Sequence, residues 1–104
     1  MTDRLPHRSR ATEFCAYKIT NLVNGRGYIG ITTGTLRARF RGHLADATKR
    51  RRNMVLHKAM RKYGAENFRI ELLADAASLP ELLVLERWLI AEHGTMAPHG
   101  YNTA

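Results

Sequence analysis

Two tyrosines, Tyr17 and Tyr28, stand eleven residues apart with an Asn24-Gly25 pair between them. Asn-Gly is the preferred centre of a type I′ hairpin turn, because both central residues need positive φ. The stretches on either side are rich in β-branched and aromatic residues, as strands are. A hairpin therefore sets the two phenols on adjacent antiparallel strands, within side-chain reach on one face. Paired phenols on a strand pair can serve chemistry.

Three further residues stand out by spacing. Leu79, Leu82, Leu83, Glu86, Leu89 and Ile90 share one stripe at helical spacing. A carboxylate on an apolar stripe must be paired, bind a metal or sit at the mouth of a cleft. An ion pair with an arginine such as Arg39 or Arg61 would satisfy it without any metal. Arg39 and His43 lie at i and i+4, flanking the apolar positions Leu36, Phe40 and Leu44. A guanidinium there can hold a phosphate or the extra charge of a pentavalent transition state. An imidazole beside it can position or relay a proton. The same pair also fits a surface cation next to a half-buried polar residue. Arg37 and Arg41 lie elsewhere on the turn, as phosphate contacts or solvated charges. His7, His57, His93 and His99 show no ligand-like spacing, so no zinc site is expected.

The elements that would position these residues follow from pattern. Strands are expected over 14–20 and 26–32. Thr35 then opens a helix running to Lys49, with Leu36, Phe40, Leu44 and Ala47 apolar. The tract 49–53 ends it, where cations suit the helix dipole. A second helix spans 54–63 and stops at Gly64, the usual residue after a helix. Residues 67–73 read as a third strand, with Phe68, Ile70 and Leu72 on one face. Ser78-Leu79-Pro80-Glu81 matches a capping box with proline in the first turn. Its helix runs to His93 and stops at Gly94, and 95–104 is a closing loop. Residues 1–13, with Arg4, Arg8 and Arg10, read as a disordered basic arm. The order ββααβα, antiparallel strands followed by helices on one side, gives an α+β layer fold.

Composition narrows the partners. The 104 residues carry a formal net charge of +8, enough chain for one domain with a modest core. Between Arg37 and Lys62 ten cations are opposed only by Asp46, whereas five acids face two arginines from Arg69 onward. A basic block on a small domain is the footprint of a nucleic-acid binder, although a solvated surface would look the same. The lone Cys15 cannot form an internal disulfide and reads as a small core filler in a reducing compartment. The longest aliphatic run, Leu82 to Leu85, is far too short to span a membrane, and no secretory signal is visible. A cytoplasmic protein is expected. No pattern favours a symmetric interface, so a monomer is expected.

With Cys15-Ala16-Tyr17 and Tyr28-Ile29-Gly30 in place, the chain resembles the GIY-YIG nucleases. The resemblance continues through residues 36–44 and 62–68, then Glu86-Arg87-Trp88-Leu89-Ile90 and Gly100-Tyr101-Asn102, in the family's order across 14–104. One departure is plain: the first motif reads Cys-Ala-Tyr where the family name has Gly-Ile-Tyr. The resemblance implies a small three-stranded antiparallel sheet flanked by three helices. It also implies a DNA endonuclease most like those of phage and bacterial homing systems, using Mg2+ or Mn2+. Tyr17, Tyr28, Arg39, His43, Glu86 and Asn102 then become the expected catalytic set, with Glu86 the metal ligand. A single carboxylate suffices for magnesium, which completes its shell with water and phosphate oxygens. Arg26, Arg37, Arg41, Lys49, Arg50, Arg51, Arg52 and Lys58 are the expected DNA contacts. Specificity would come from a separate DNA-binding module or partner protein, or the chain would act as a stand-alone nuclease of low sequence specificity.

The implied mechanism places Tyr17 and Tyr28 near the attacking water, Arg39 on the phosphate and Glu86 with its metal on the leaving side. A free phenol has a pKa of about 10, so roughly one in a thousand is a base at neutral pH. Tyr17 as the base thus requires neighbouring cations to lower its pKa, and predicts a rate that climbs into the alkaline range. Two other readings stay open: a module that binds DNA without cutting, and a repair or recombination nuclease acting on flaps or junctions. For Asn102 a loop anchor is as consistent as a catalytic amide.

Overall fold

The computed structural model describes residues 14–103, so the expected basic arm at 1–13 lies outside the described residues. The elements are β1 (Phe14–Asn21), β2 (Gly27–Thr32), α1 (Leu36–Thr48), α2 (Val55–Tyr63), β3 (Phe68–Ala76) and α3 (Leu79–His93), with a short 3-10 turn at Ala65–Asn67. The antiparallel sheet has the order β2-β1-β3, so the tyrosine strand β1 is its centre.

The hairpin forms, but not through a type I′ turn. Gly25 takes the left-handed conformation (φ 79°), whereas Asn24 keeps a negative φ. The loop is four residues, 22–25, closed by Asn21 N–H to the Arg26 carbonyl (2.8 Å) and Gly25 N–H to the Asn21 carbonyl (2.7 Å). Two asparagines cause the difference. The Asn21 carboxamide oxygen accepts from Val23 N–H and that of Asn24 from Arg26 N–H, each at 2.9 Å. Such side-chain turns give the backbone an alternative to the tight two-residue form.

The register pairs Tyr17 with Gly30 and Ile19 with Tyr28. The two phenols are therefore diagonal neighbours on one face rather than directly opposed. On the other edge a bulge separates the Ala16–Ala74 and Tyr17–Leu72 pairs, leaving Leu73 as the extra residue. The bulge lets β3 run three residues past the predicted end. Phe68 and Ile70 pack beneath α1 and α2, while Leu73 and Ala76, beyond the bulge, join the core under α3.

The helices divide between the two faces instead of gathering on one. Tyr17 and Ile19 pack with Ala47, Leu56, Ala59 and Met60 of α1 and α2; Ala16 and Ile29 pack with Leu82 and Leu89 of α3. Apolar side chains at successive positions of β1 and β2 leave neither face fit for water, so both must be covered. Caps fix the starts of α1 and α3. The Thr35 hydroxyl accepts from Ala38 N–H (3.1 Å), and the Ser78 hydroxyl from Glu81 N–H (3.3 Å). Glu81 reaches back to Ala77 N–H (2.9 Å). On α3 the inward stripe is Leu82, Leu85, Glu86, Leu89 and Ile90, while Leu79, Leu83 and Trp88 face solvent. None of the helices among the described residues is long and apolar enough to cross a membrane.

Candidate active site

Tyr17 sits at the centre of the sheet, and its phenol is fully buried. Its oxygen accepts from Arg39 Nε–H at 3.2 Å and stands 2.8 Å from His43 Nε2. The helical spacing that sets Arg39 and His43 on one face of α1 thus delivers both to one oxygen. Arg37 and Arg41, half a turn round, remain exposed. Tyr28 is half-buried, its ring centroid 6.4 Å from Tyr17 and 5.5 Å from His43. Burial, then the neighbouring Tyr28, push the Tyr17 phenol above its ordinary range, against the pull of Arg39. Burial raises Tyr28 as well. A standing phenolate at Tyr17 is therefore disfavoured, contrary to what a simple phenolate base needs.

His43 offers another route. Expected at the boundary between core and solvent, it is fully buried. Burial, then the Arg39 charge and the neighbouring His57 ring, lower its pKa to about 4, so the ring is neutral at pH 7 and able to take a proton. Its second nitrogen, Nδ1, lies 3.1 Å from His57 Nε2. Sequence spacing passed over His57, fourteen residues from its partner and on a different helix. The one available signal was its place among the apolar residues Leu56, Ala59 and Met60 of α2.

Glu86 lies half-buried on a cleft of about 790 Å³, whose lining includes Tyr28, Met54, Val55, Ile90 and Asn102. The ion pair that would have explained a carboxylate on this stripe is not made. Arg39 is committed to Tyr17, and Arg61 donates to the carbonyls of Ala47 (2.9 Å) and Arg52 (2.8 Å). Among the described residues no hydrogen bond or ion pair holds the Glu86 carboxylate, and burial raises its pKa. A desolvated, unpaired carboxylate that shares its cleft with the Tyr28 phenol fits a divalent cation. Among the described residues no three His, Cys, Asp or Glu side chains cluster to cage a metal. The donor set therefore suits an ion that keeps most of its water, as magnesium does.

Asn102 is buried with both ends of its amide engaged. Its oxygen accepts from Ile29 N–H (2.8 Å) and the Thr95 hydroxyl (2.7 Å), and its Nδ2 donates to the Ile29 carbonyl (2.9 Å). It clamps the closing loop onto β2 beside Tyr28 and bonds neither tyrosine of the pair. Tyr101 completes the clamp, its hydroxyl accepting from Asn21 (3.0 Å) and Asn24 (3.3 Å) of the hairpin loop. Of the expected DNA contacts, Arg37, Arg41, Lys49, Arg51, Arg52 and Lys58 are exposed without such ties. Arg50 pairs with Asp46 (2.9 Å) and Arg26 donates to the Pro98 carbonyl (2.7 Å).

Known proteins resemble this chain in both sequence and fold. A family model described as the GIY-YIG catalytic domain matches residues 13–102. The MSV199-domain-containing protein 146R of Invertebrate iridescent virus 6 is 40% identical over 82 residues, covering 77% of this chain and 33% of that protein. A protein of Enterobacteria phage T4 named as endonuclease segD is 32% identical over 92 residues, covering 88% of this chain and 38% of its own length. This chain thus spans about a third of the first relative and 38% of the second. In fold it is similar to the catalytic domain of the intron endonuclease I-TevI, with a TM-score of 0.77 at 22% identity over 88% of this chain and 94% of that one.

Proposed function

This chain belongs to the GIY-YIG family of nuclease catalytic domains, and we propose that it is a DNA endonuclease that hydrolyses phosphodiesters with one magnesium or manganese ion at Glu86. The observation that carries the reading is the convergence of Arg39 Nε and His43 Nε2 on the Tyr17 hydroxyl, beside a cleft holding an unpaired carboxylate.

Arg39 caps the Tyr17 oxygen. Drawn onto a scissile phosphate, the guanidinium uncovers that oxygen for the attacking water and stabilises the charge gathering on phosphorus. The water gives a proton to Tyr17 as Tyr17 gives its own to His43 Nε2, so no phenolate need accumulate. The new oxygen–phosphorus bond forms as the bond to the sugar oxygen breaks, and that oxygen leaves with a proton from solvent. Tyr28 borders the same cleft and orients the water. The ion at Glu86 would act as Lewis acid on the phosphate and the leaving oxygen.

Exposed cations on α1 and the 49–52 tract supply sequence-independent binding, which salt weakens. A separate DNA-binding module or partner supplies target choice. The test is conversion of supercoiled plasmid with magnesium or manganese against EDTA, with Glu86→Ala beside the parent. Metal-dependent nicking, lost in the variant while DNA binding persists, is the expected result. A folded parent that shifts DNA but never cuts it would overturn the reading in favour of a binding module.

A further inference from the structure

The step just proposed requires His43 to meet the Tyr17 hydroxyl with a bare Nε2 rather than an N–H. A neutral imidazole carries its single proton on either nitrogen, and the partner of the other nitrogen decides which. That partner is His57, with Nε2 3.1 Å from His43 Nδ1 and ring centroids 5.4 Å apart. Both rings are shut away from solvent, at 0% and 1% exposure.

Two proton settings are self-consistent along the chain Tyr17–His43–His57. In one, Tyr17 O–H donates to His43 Nε2 and His43 Nδ1–H donates to His57 Nε2. His57 Nδ1–H, which has no partner, is then the single buried group left over. In the other, every donor is reversed. His57 Nε2–H donates to His43 Nδ1, and His43 Nε2–H donates to a Tyr17 oxygen that already accepts from Arg39. That setting orphans the His57 lone pair and also the Tyr17 hydroxyl proton, which has no other acceptor among the described residues. Buried polar groups left unpaired are costly, so the first setting prevails.

We infer that His57 is a positioning residue for the hydrolytic step: its Nε2 accepts His43 Nδ1–H, which keeps His43 Nε2 bare and aimed at the Tyr17 hydroxyl. The same bond steadies the imidazolium that forms when the phenolic proton arrives. His57 remains a neutral acceptor because burial disfavours its charged form. Arg61 of α2, Arg39 of α1 and Arg52 of the connecting loop add to that effect, with Asp46 of α1 opposing.

This inference rests on the nuclease reading for its role in catalysis, but the tautomer can be observed without any cutting. The experiment records 15N-correlated spectra of the His43 ring in the parent, H57Q and H57L, together with kcat and KM for cleavage. The glutamine of H57Q offers a carbonyl acceptor that cannot titrate; the leucine of H57L fills the space with no acceptor. Expected are a bare Nε2 with protonated Nδ1 in the parent and in H57Q, and kcat in H57Q within threefold. In H57L the proton moves to Nε2 and kcat falls at least tenfold with KM unchanged. A parent whose His43 carries its proton on Nε2 overturns the inference, even if H57L does not fold. So does a folded H57L that keeps both tautomer and kcat. If the parent cuts no DNA, the proposed function fails while the spectra still decide the tautomer.

Discussion

The phenol of Tyr17 lies across Gly30, its register partner on β2, and occupies the space a side chain there would need. A Cβ at position 30 would overlap the Tyr17 hydroxyl end and stand 2.8 Å from Cε1. The glycine closing the second tyrosine motif therefore serves the tyrosine of the first. Gly30→Ala should push the ring off Arg39 and His43. Displacements of this size in an active site cost about a hundredfold in rate, and overpacking a core costs about 1–3 kcal/mol. Plasmid nicking and thermal melting together check this; an alanine variant of unchanged rate would mean the phenol is not held where it is seen.

The bonds of Asn102 to Ile29 and Thr95 make it an anchor for the closing loop. Asn102→Asp keeps its shape but turns a carboxylate oxygen toward the Ile29 carbonyl in place of the donating Nδ2. A buried donor replaced by an unsatisfied acceptor should cost about 2–3 kcal/mol, more if the carboxylate stays charged. Chemical denaturation of parent and variant gives the difference. A variant as stable as the parent but inactive would make Asn102 a catalytic group instead.

The hairpin, the capped helices and Glu86 were legible in the sequence because each rests on local pattern: alternation, caps and a carboxylate on an apolar stripe. The turn type was not, because the Asn21 and Asn24 side chains, not the Asn-Gly pair, decide that loop. The splitting of the helices between two faces was hidden for a different reason. Whether Ala16 and Ile29 face a helix or solvent depends on where α3 returns, a long-range fact. His57 escaped because its meaning lies in a ring fourteen residues away. A close approach at Gly30 was readable, but that the neighbour is the Tyr17 ring, rather than a helix or phosphate, follows only from the register.

Buried neutral histidines make acid a threat to the fold. His43 has its pKa lowered from an ordinary 6.5 to about 4, and His57 is lowered too, first by burial. Between those values the unfolded chain binds the proton and the folded chain does not, so stability rises with pH there. It should be fully present above pH 6.5 and decline as pH falls toward 4, by up to about 3 kcal/mol from His43. Urea midpoints from acid to neutral pH measure it, with His43→Gln expected to flatten the slope. Cleavage should follow the neutral ring, failing only in acid and staying flat into the alkaline range. A rate that climbs steadily with alkaline pH would return the base role to a Tyr17 phenolate.

Arg39 has two tasks that lysine cannot share. Before substrate binds, its Nε–H rests on the Tyr17 hydroxyl at 3.2 Å; drawn onto a phosphate, its planar fork grips two oxygens at once. A lysine ammonium is a compact point charge without that fork. Arg39→Lys keeps the net charge, so sequence-independent DNA binding and its salt dependence should barely change. The rate should nonetheless fall about 10²–10³-fold, the usual cost of losing one preorganised donor at a developing charge. Gel-shift titration across salt concentrations, run beside single-turnover cleavage, separates the two. An R39K variant that cuts normally would reduce Arg39 to one more cation in the basic surface, whereas one that loses DNA binding in proportion to its rate would place it in ground-state recognition.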